Sequence, residues 1–226
     1  MPDPLFIFML TRNDATVPNA AEAAREAIAA GARHIGFKDT GARPAELKSL
    51  ADQLRAAGVT TYLEVVRLGP ASELASAELA LALGVDVLMG GVRPEVVGRR
   101  VRDASVRYFP FVGRVVGHPS VLAGPPDEIV ANSRDIAELP GVDGLDLLAY
   151  RSDHDGAALA RQVCAAVAKP VVVAGSIDRP ERIAAVRQAG AHAFTVGTAA
   201  IDGAFPASSP GLAGQLAAIQ AAVAGA

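Results

Sequence analysis

The chain has 226 residues, 51% hydrophobic and 20% charged, enough for one domain with a large core. Its net charge of -3 and the lack of any Lys/Arg cluster exclude an electrostatic footprint for nucleic acid. A single cysteine, Cys164, excludes an intrachain disulfide framework, and its apolar helical surroundings mark it as a packing residue rather than a nucleophile.

The opening MPDPLFIFML carries no basic segment, and its apolar run is too short to span a bilayer. It is read as a first strand, and the expectation is a cytoplasmic protein with no membrane partner. Strand 1 is predicted over residues 5–10, followed by the loop TRNDATVPN and a helix near 20–30. Strand 2 is predicted over 34–38 and strand 3 over 60–66, with helices near 44–57 and 72–83. Strand 4 (86–89) leads through Gly90-Gly91 to a helix near 94–101. Strand 5 (106–112) leads into a long irregular segment, GRVVGHPSVLAGPP, and a helix near 127–139. Strand 6 (144–149), a helix near 155–167, strands 7 (171–173) and 8 (193–196) and a final Ala-rich helix near 211–224 complete the chain.

One joint recurs between helix and strand: Ala30-Gly31-Ala32, Ala57-Gly58-Val59, Leu83-Gly84-Val85, Pro140-Gly141-Val142 and Ala189-Gly190-Ala191. Glycine there is predicted to take the left-handed conformation that closes a helix. Eight such βα units without a composition break predict a single (β/α)8 barrel over residues 1–226. A doubly wound sheet is the alternative, but it would place a glycine-rich loop after strand 1, where TRNDAT stands.

Period-two alternation sends Ile35, Phe37, Leu63 and Val65 outward onto the helices, leaving Gly36, Lys38, Tyr62 and Glu64 facing the barrel axis. Barrel chemistry sits at the C-terminal strand ends. Of the three lysines, only Lys38 lies at such an end. Burial there can lower an amine's pKa far enough for acid/base work or for imine formation. Glu64, on the neighbouring strand, is its base partner or its counter-ion. Asp146 shares the inward face of strand 6 and is a candidate base or a buried structural carboxylate. The same count gives Arg114 inward parity just past strand 5; with His118 it lies in the long segment, read as a lid, as a substrate contact. Arg12, Asn13 and Asp14 follow strand 1, where ligand binding competes with ordinary turn chemistry, and Asp39 and Arg151 lie at the rim. No His, Asp, Glu or Cys spacing matches a metal site, so neither metal nor cofactor is expected.

Strands 7 and 8 end in Gly175-Ser176 and Gly197-Thr198. Small residues closing adjacent strands let backbone N–H groups approach a phosphate, and in barrels the loops after strands 7 and 8 commonly hold one. The segment VVVAGSIDRPERIAAVRQAGAHAFTVGTAA resembles the half-barrel signature of the phosphate-binding TIM-barrel superfamily. That resemblance implies phosphate contacts at Gly175, Ser176, Gly197 and Thr198. The GFKD stretch is similar to the strand-2 lysine segment of N-acylmannosamine-6-phosphate epimerases, where a lysine does acid/base work. That family has a glutamate just before the strand-7 glycine, where this chain has Ala174. The expected partner is a small phosphorylated sugar or sugar acid, isomerised or epimerised by proton transfer next to its carbonyl. A Schiff-base aldolase or lyase using Lys38, a non-catalytic binder of a phosphorylated metabolite and an FMN oxidoreductase are the alternatives. A homodimer is compatible with a barrel this small.

Overall fold

The computed structural model describes residues 3–225. Eight strands, β1 (Leu5–Met9), β2 (His34–Lys38), β3 (Thr60–Val65), β4 (Val87–Gly90), β5 (Arg107–Phe109), β6 (Leu145–Leu147), β7 (Val171–Val173) and β8 (Ala193–Val196), pair in parallel in the order β6-β7-β8-β1-β2-β3-β4-β5. A parallel bridge between Phe111 and Asp146 joins β5 to β6. The ring is therefore closed, and the fold is the (β/α)8 barrel that the repeated units predict. Helices α1 (Ala20–Ala29), α2 (Pro44–Ala56), α3 (Pro70–Leu83), α4 (Pro94–Val101), α5 (Pro126–Ala137), α6 (Gly156–Ala166), α7 (Pro180–Gln188), the single turn α8 (Thr198–Ile201) and α9 (Gly211–Gly225) surround it. No described helix is long and apolar enough to cross a membrane.

The predicted alternation holds in β2 and β3. Ile35, Phe37 and Leu63 belong to the layer between strands and helices, whereas Tyr62 packs with Ile7, Met9, Val87, Met89, Phe109, Val172 and Ala193 inside the barrel. Burying a side chain such as Phe37 in the outer layer stabilises the fold by about 1.5–3 kcal/mol. Gly36 faces inward because a Cβ there would lie 2.3 Å from the Met9 sulfur. All five joint glycines have the left-handed φ expected of them: 90° at Gly31, 67° at Gly58, 64° at Gly84, 79° at Gly141 and 74° at Gly190.

Two departures from the predicted elements shape the mouth of the barrel. Strand β5 stops at Phe109, not at residue 112, because Pro110 has no N–H to donate; its carbonyl still accepts the Asp146 amide at 2.8 Å. The segment beyond it is an antiparallel hairpin, Arg114–Val116 against Val121–Ala123, instead of an irregular loop. A second, shorter hairpin pairs Thr11–Arg12 with Ala15–Thr16 just after β1.

At the opposite end of the barrel, His34 Nδ1 lies 2.9 Å from the Tyr62 hydroxyl. Burial, the neighbouring His192 and Arg107 lower the His34 pKa; burial and Arg107 lower that of His192. Burial pushes Tyr62 up to about 12, so its hydroxyl keeps its proton beside His34. An unfolded chain takes up protons near the ordinary histidine pKa of 6.5, before the folded barrel does. Stability is therefore expected to fall as the pH drops below 6.5. Urea unfolding of His34→Gln between pH 5 and 7.5 checks this: its stability should depend less on pH than that of the parent, and equal slopes would remove His34 as the cause.

Candidate active site

A cavity of about 550 Å³ opens at the C-terminal ends of the strands. One wall carries Lys38 and Glu64; the facing wall is made by the turns after β7 and β8. The first wall follows from strand register. Lys38 and Glu64 are Cα partners at the last rungs of β2 and β3, so their inward side chains must meet. Lys38 Nζ donates to Glu64 Oε1 at 2.8 Å, and both residues are about 5% exposed. The end of β2 is clamped in place by the Thr16 hydroxyl, which accepts from the Lys38 amide at 2.8 Å and donates to its carbonyl at 2.9 Å.

Asp14 is the group that binds this wall together. It stands with Asn13 in the two-residue turn of the 11–16 hairpin, with φ of 59° and 50°. Asx residues tolerate that left-handed geometry, and the tight turn carries the Asp14 side chain inward. Its Oδ1 accepts from Lys38 Nζ at 3.0 Å and from Arg151 Nη1 at 2.7 Å, while Oδ2 accepts from the Ser120 amide at 2.8 Å. Three donors from three separated segments thus converge on a carboxylate that is 1% exposed. Burial alone would raise its pKa; the charges of Lys38 and Arg151 and the Ser120 amide more than reverse that and hold it far below the usual carboxylate range.

The same charges set the state of the lysine. Burial works to lower the Lys38 pKa, as expected for a desolvated amine, but Glu64 and Asp14 outweigh it and the net shift is upward. Lys38 is therefore an ammonium ion at rest, against the expectation of an amine freed by burial. Glu64 gives Oε1 to Lys38, and among the described residues nothing donates to its Oε2. Asp146 lies deeper, fully buried, and neither carboxyl oxygen has a partner among the described residues. Burial and the nearby Glu64 charge push its pKa well above the usual carboxylate range. Asp39, by contrast, is spent on the Val66 amide at 2.9 Å and the Ser76 hydroxyl at 2.6 Å, pinning the loop after β3.

On the facing wall, Gly175 and Ser176 both have left-handed φ, 78° and 55°. The Ser176 carbonyl is taken by Arg182 of α7, and among the described residues the Ser176 and Ile177 amides have no partner. Gly197 is needed for close approach: a Cβ would lie 2.7 Å from the Thr11 hydroxyl and 3.1 Å from Met9 Cβ. Gly175, Ser176, Gly197 and Thr198 all line the cavity, opposite Lys38 and Glu64. Between the walls runs Arg151, whose stem occupies the space a Cβ on Gly175 would need, with its Nε 2.6 Å from that position.

The remaining predicted site residues stand apart from this cavity. Arg114 has no inward parity, because Pro110 and the left-handed Gly113 break the strand before it and place it on an exposed hairpin edge. His118 is exposed at the tip of that hairpin, while its neighbours Pro119, Ser120 and Val121 line the cavity. Arg12 pairs with Asp202 at the surface. Among the described residues no three His, Cys, Asp or Glu side chains group so as to hold a metal.

No family model matches the chain. A putative N-acetylmannosamine-6-phosphate 2-epimerase from Enterobacter sp. (strain 638) is 35% identical over 132 residues, 51% of this chain and 54% of the relative. The chain thus spans about half the length of the curated relative it matches. Among solved structures, mutually generated monomers of dimeric phosphoribosylanthranilate isomerase from Thermotoga maritima align over 99% of this chain and 100% of their own, with a TM-score of 0.66 at 13% identity. The tryptophan synthase alpha chain from Legionella pneumophila subsp. pneumophila aligns over 98% and 92%, with a TM-score of 0.69 at 17% identity. At these identities the structural likeness shows the barrel fold.

Proposed function

We propose that the chain is an isomerase or epimerase of a small phosphorylated sugar or sugar acid, moving a proton at the carbon next to the substrate carbonyl. The observation that carries this reading is the buried Lys38–Glu64 pair, 2.8 Å apart, across one cavity from the paired Gly175-Ser176 and Gly197-Thr198 turns. The similarity to an epimerase named for a phosphorylated amino sugar supports it. In this reading the two turns hold the phosphate by backbone N–H groups. Glu64, with Oε2 unengaged, is the base. The Lys38 ammonium stabilises the enediolate oxygen that forms, and it can return a proton from Nζ. Asp14 serves as the fixed counter-ion that keeps Lys38 charged and aimed. A lysine held as a cation by two carboxylates is poorly suited to attack a carbonyl, which favours proton transfer over the Schiff-base route.

Deuterium exchange tests the proposal. The protein, incubated in D₂O with a panel of phosphorylated ketoses, aldoses and sugar acids, is expected to exchange the hydrogen next to the carbonyl of at least one of them. Glu64→Gln should slow that exchange by about 10²-fold or more. Exchange confined to unphosphorylated sugars, or a borohydride-trapped adduct on Lys38, would overturn it.

A further inference from the structure

Arg151 is the cavity's most under-used donor. Its guanidinium makes one hydrogen bond among the described residues, Nη1 to Asp14 Oδ1 at 2.7 Å, leaving four N–H donors without a partner. The side chain is 20% exposed and lines the cavity between the Lys38 wall and the Gly175 turn. Its backbone is fixed at both ends: the amide donates to the Leu148 carbonyl at 3.0 Å, and its carbonyl accepts the Leu122 amide of the 114–123 hairpin at 2.8 Å. The stem lies against Gly175, where the absence of a Cβ makes room for it. A fixed backbone with a free guanidinium can turn its fork over a short arc from Asp14 to the Ser176 turn without moving the chain.

Charge points the same way. The Lys38 wall is balanced, two cations against Asp14 and Glu64. At the phosphate turns the other arginines are engaged, Arg179 with Asp178 at 2.8 Å and Arg182 with Asp178 at 3.1 Å. A dianion arriving there would find backbone amides and, within reach, the Arg151 fork.

Resting on the phosphate reading above, we propose that Arg151 is the specificity-determining residue for the substrate's phosphate and that it reads the phosphate in competition with Asp14. With the cavity empty, Arg151 and Lys38 share Asp14 Oδ1, 2.7 and 3.0 Å away. A phosphate on the turns draws the guanidinium toward itself by charge-assisted, bidentate donation and leaves that oxygen to Lys38 alone. Binding at the phosphate end thereby tightens the ion pair that positions the ammonium at the reacting end.

Calorimetric titration with inorganic phosphate at pH 7.5 tests this on four proteins: the parent, Arg151→Gln, Asp14→Asn and the double variant. Arg151→Gln is expected to weaken phosphate binding by about tenfold or more. Asp14→Asn is expected to tighten it several-fold, because a neutral amide oxygen, also sought by Lys38 and Ser120, competes for the guanidinium far less than the carboxylate does; a variant that merely misfolds cannot gain affinity. The gain should vanish in the Asp14→Asn/Arg151→Gln double variant. Parent and Arg151→Gln binding within twofold of each other, or a gain that persists without Arg151, overturns the role of Arg151 while leaving the phosphate site standing. A parent that binds no phosphate at millimolar concentration overturns both.

Discussion

Lys38→Met is expected to lower the unfolding free energy by about 3–5 kcal/mol at neutral pH, the usual cost of stripping a buried ion pair of one partner. The methylene stem is retained by methionine, so packing changes little; what goes is the ammonium that donates to Glu64 Oε1 at 2.8 Å and to Asp14 Oδ1 at 3.0 Å. Two carboxylates then remain in the barrel mouth with only Arg151 nearby. They can escape by taking up protons, so the sign of the pH dependence follows. Without Lys38 the Asp14 carboxyl loses one of the charges that depress its pKa, and the deficit relative to the parent should be largest at high pH and shrink as the pH falls toward 5. Urea unfolding at pH 5 and pH 8 measures it. The double variant Lys38→Met/Glu64→Gln should recover part of the loss, since one of the stranded charges is removed with its partner. A deficit below about 1 kcal/mol, equal at both pH values, would mean that the pair behaves like an exposed salt bridge. The same single variant should abolish the proposed proton transfer, whatever its stability.

The second large effect is expected at Asp14. Asparagine matches its shape but offers one acceptor oxygen to three donors and turns an NH₂ toward at least one of them. Asp14→Asn should therefore cost about 3 kcal/mol at neutral pH and release the 114–123 hairpin from the mouth. Hydrogen exchange gives a local readout: protection of the Ser120 amide, which donates to Asp14 Oδ2 at 2.8 Å, should be lost first. The acid limb gives a thermodynamic one. The Asp14 pKa is depressed in the folded state, so its contribution is fully present above the unfolded value of 3.8 and is lost as the pH falls from there toward the folded pKa. The parent and Asp14→Asn curves should converge in that range. Curves that stay parallel, with Ser120 still protected, would show that Lys38 and the hairpin are held by something other than this carboxylate.

Residue pattern alone specifies the barrel and the residues that line both walls of its cavity. Apolar runs at regular spacing, joined by helix-closing glycines, specify eight βα units because each glycine occupies a left-handed position that other residues resist. Alternation within β2 and β3 then fixes which side chains face the axis, so pattern alone pairs Lys38 with Glu64. That inference works only while a strand is unbroken. At Pro110 the missing N–H ends β5, parity is lost, and Arg114 turns outward instead of inward.

The ion network, by contrast, exists only in the closed ring. Asp14 and Arg151 are 137 residues apart, and Asp14 and Ser120 are 106 apart. Local pattern carries no trace of such contacts, because closure of the ring brings them together. The one local signal was the Asn13-Asp14 pair in a two-residue turn between Thr11 and Thr16, which reads equally as ordinary turn chemistry. The charge state of Lys38 lay beyond sequence for the same reason. Burial and opposite charge shift an amine's pKa in opposing directions, and which one prevails depends on how many carboxylates the closed barrel brings to Nζ; here it brings two.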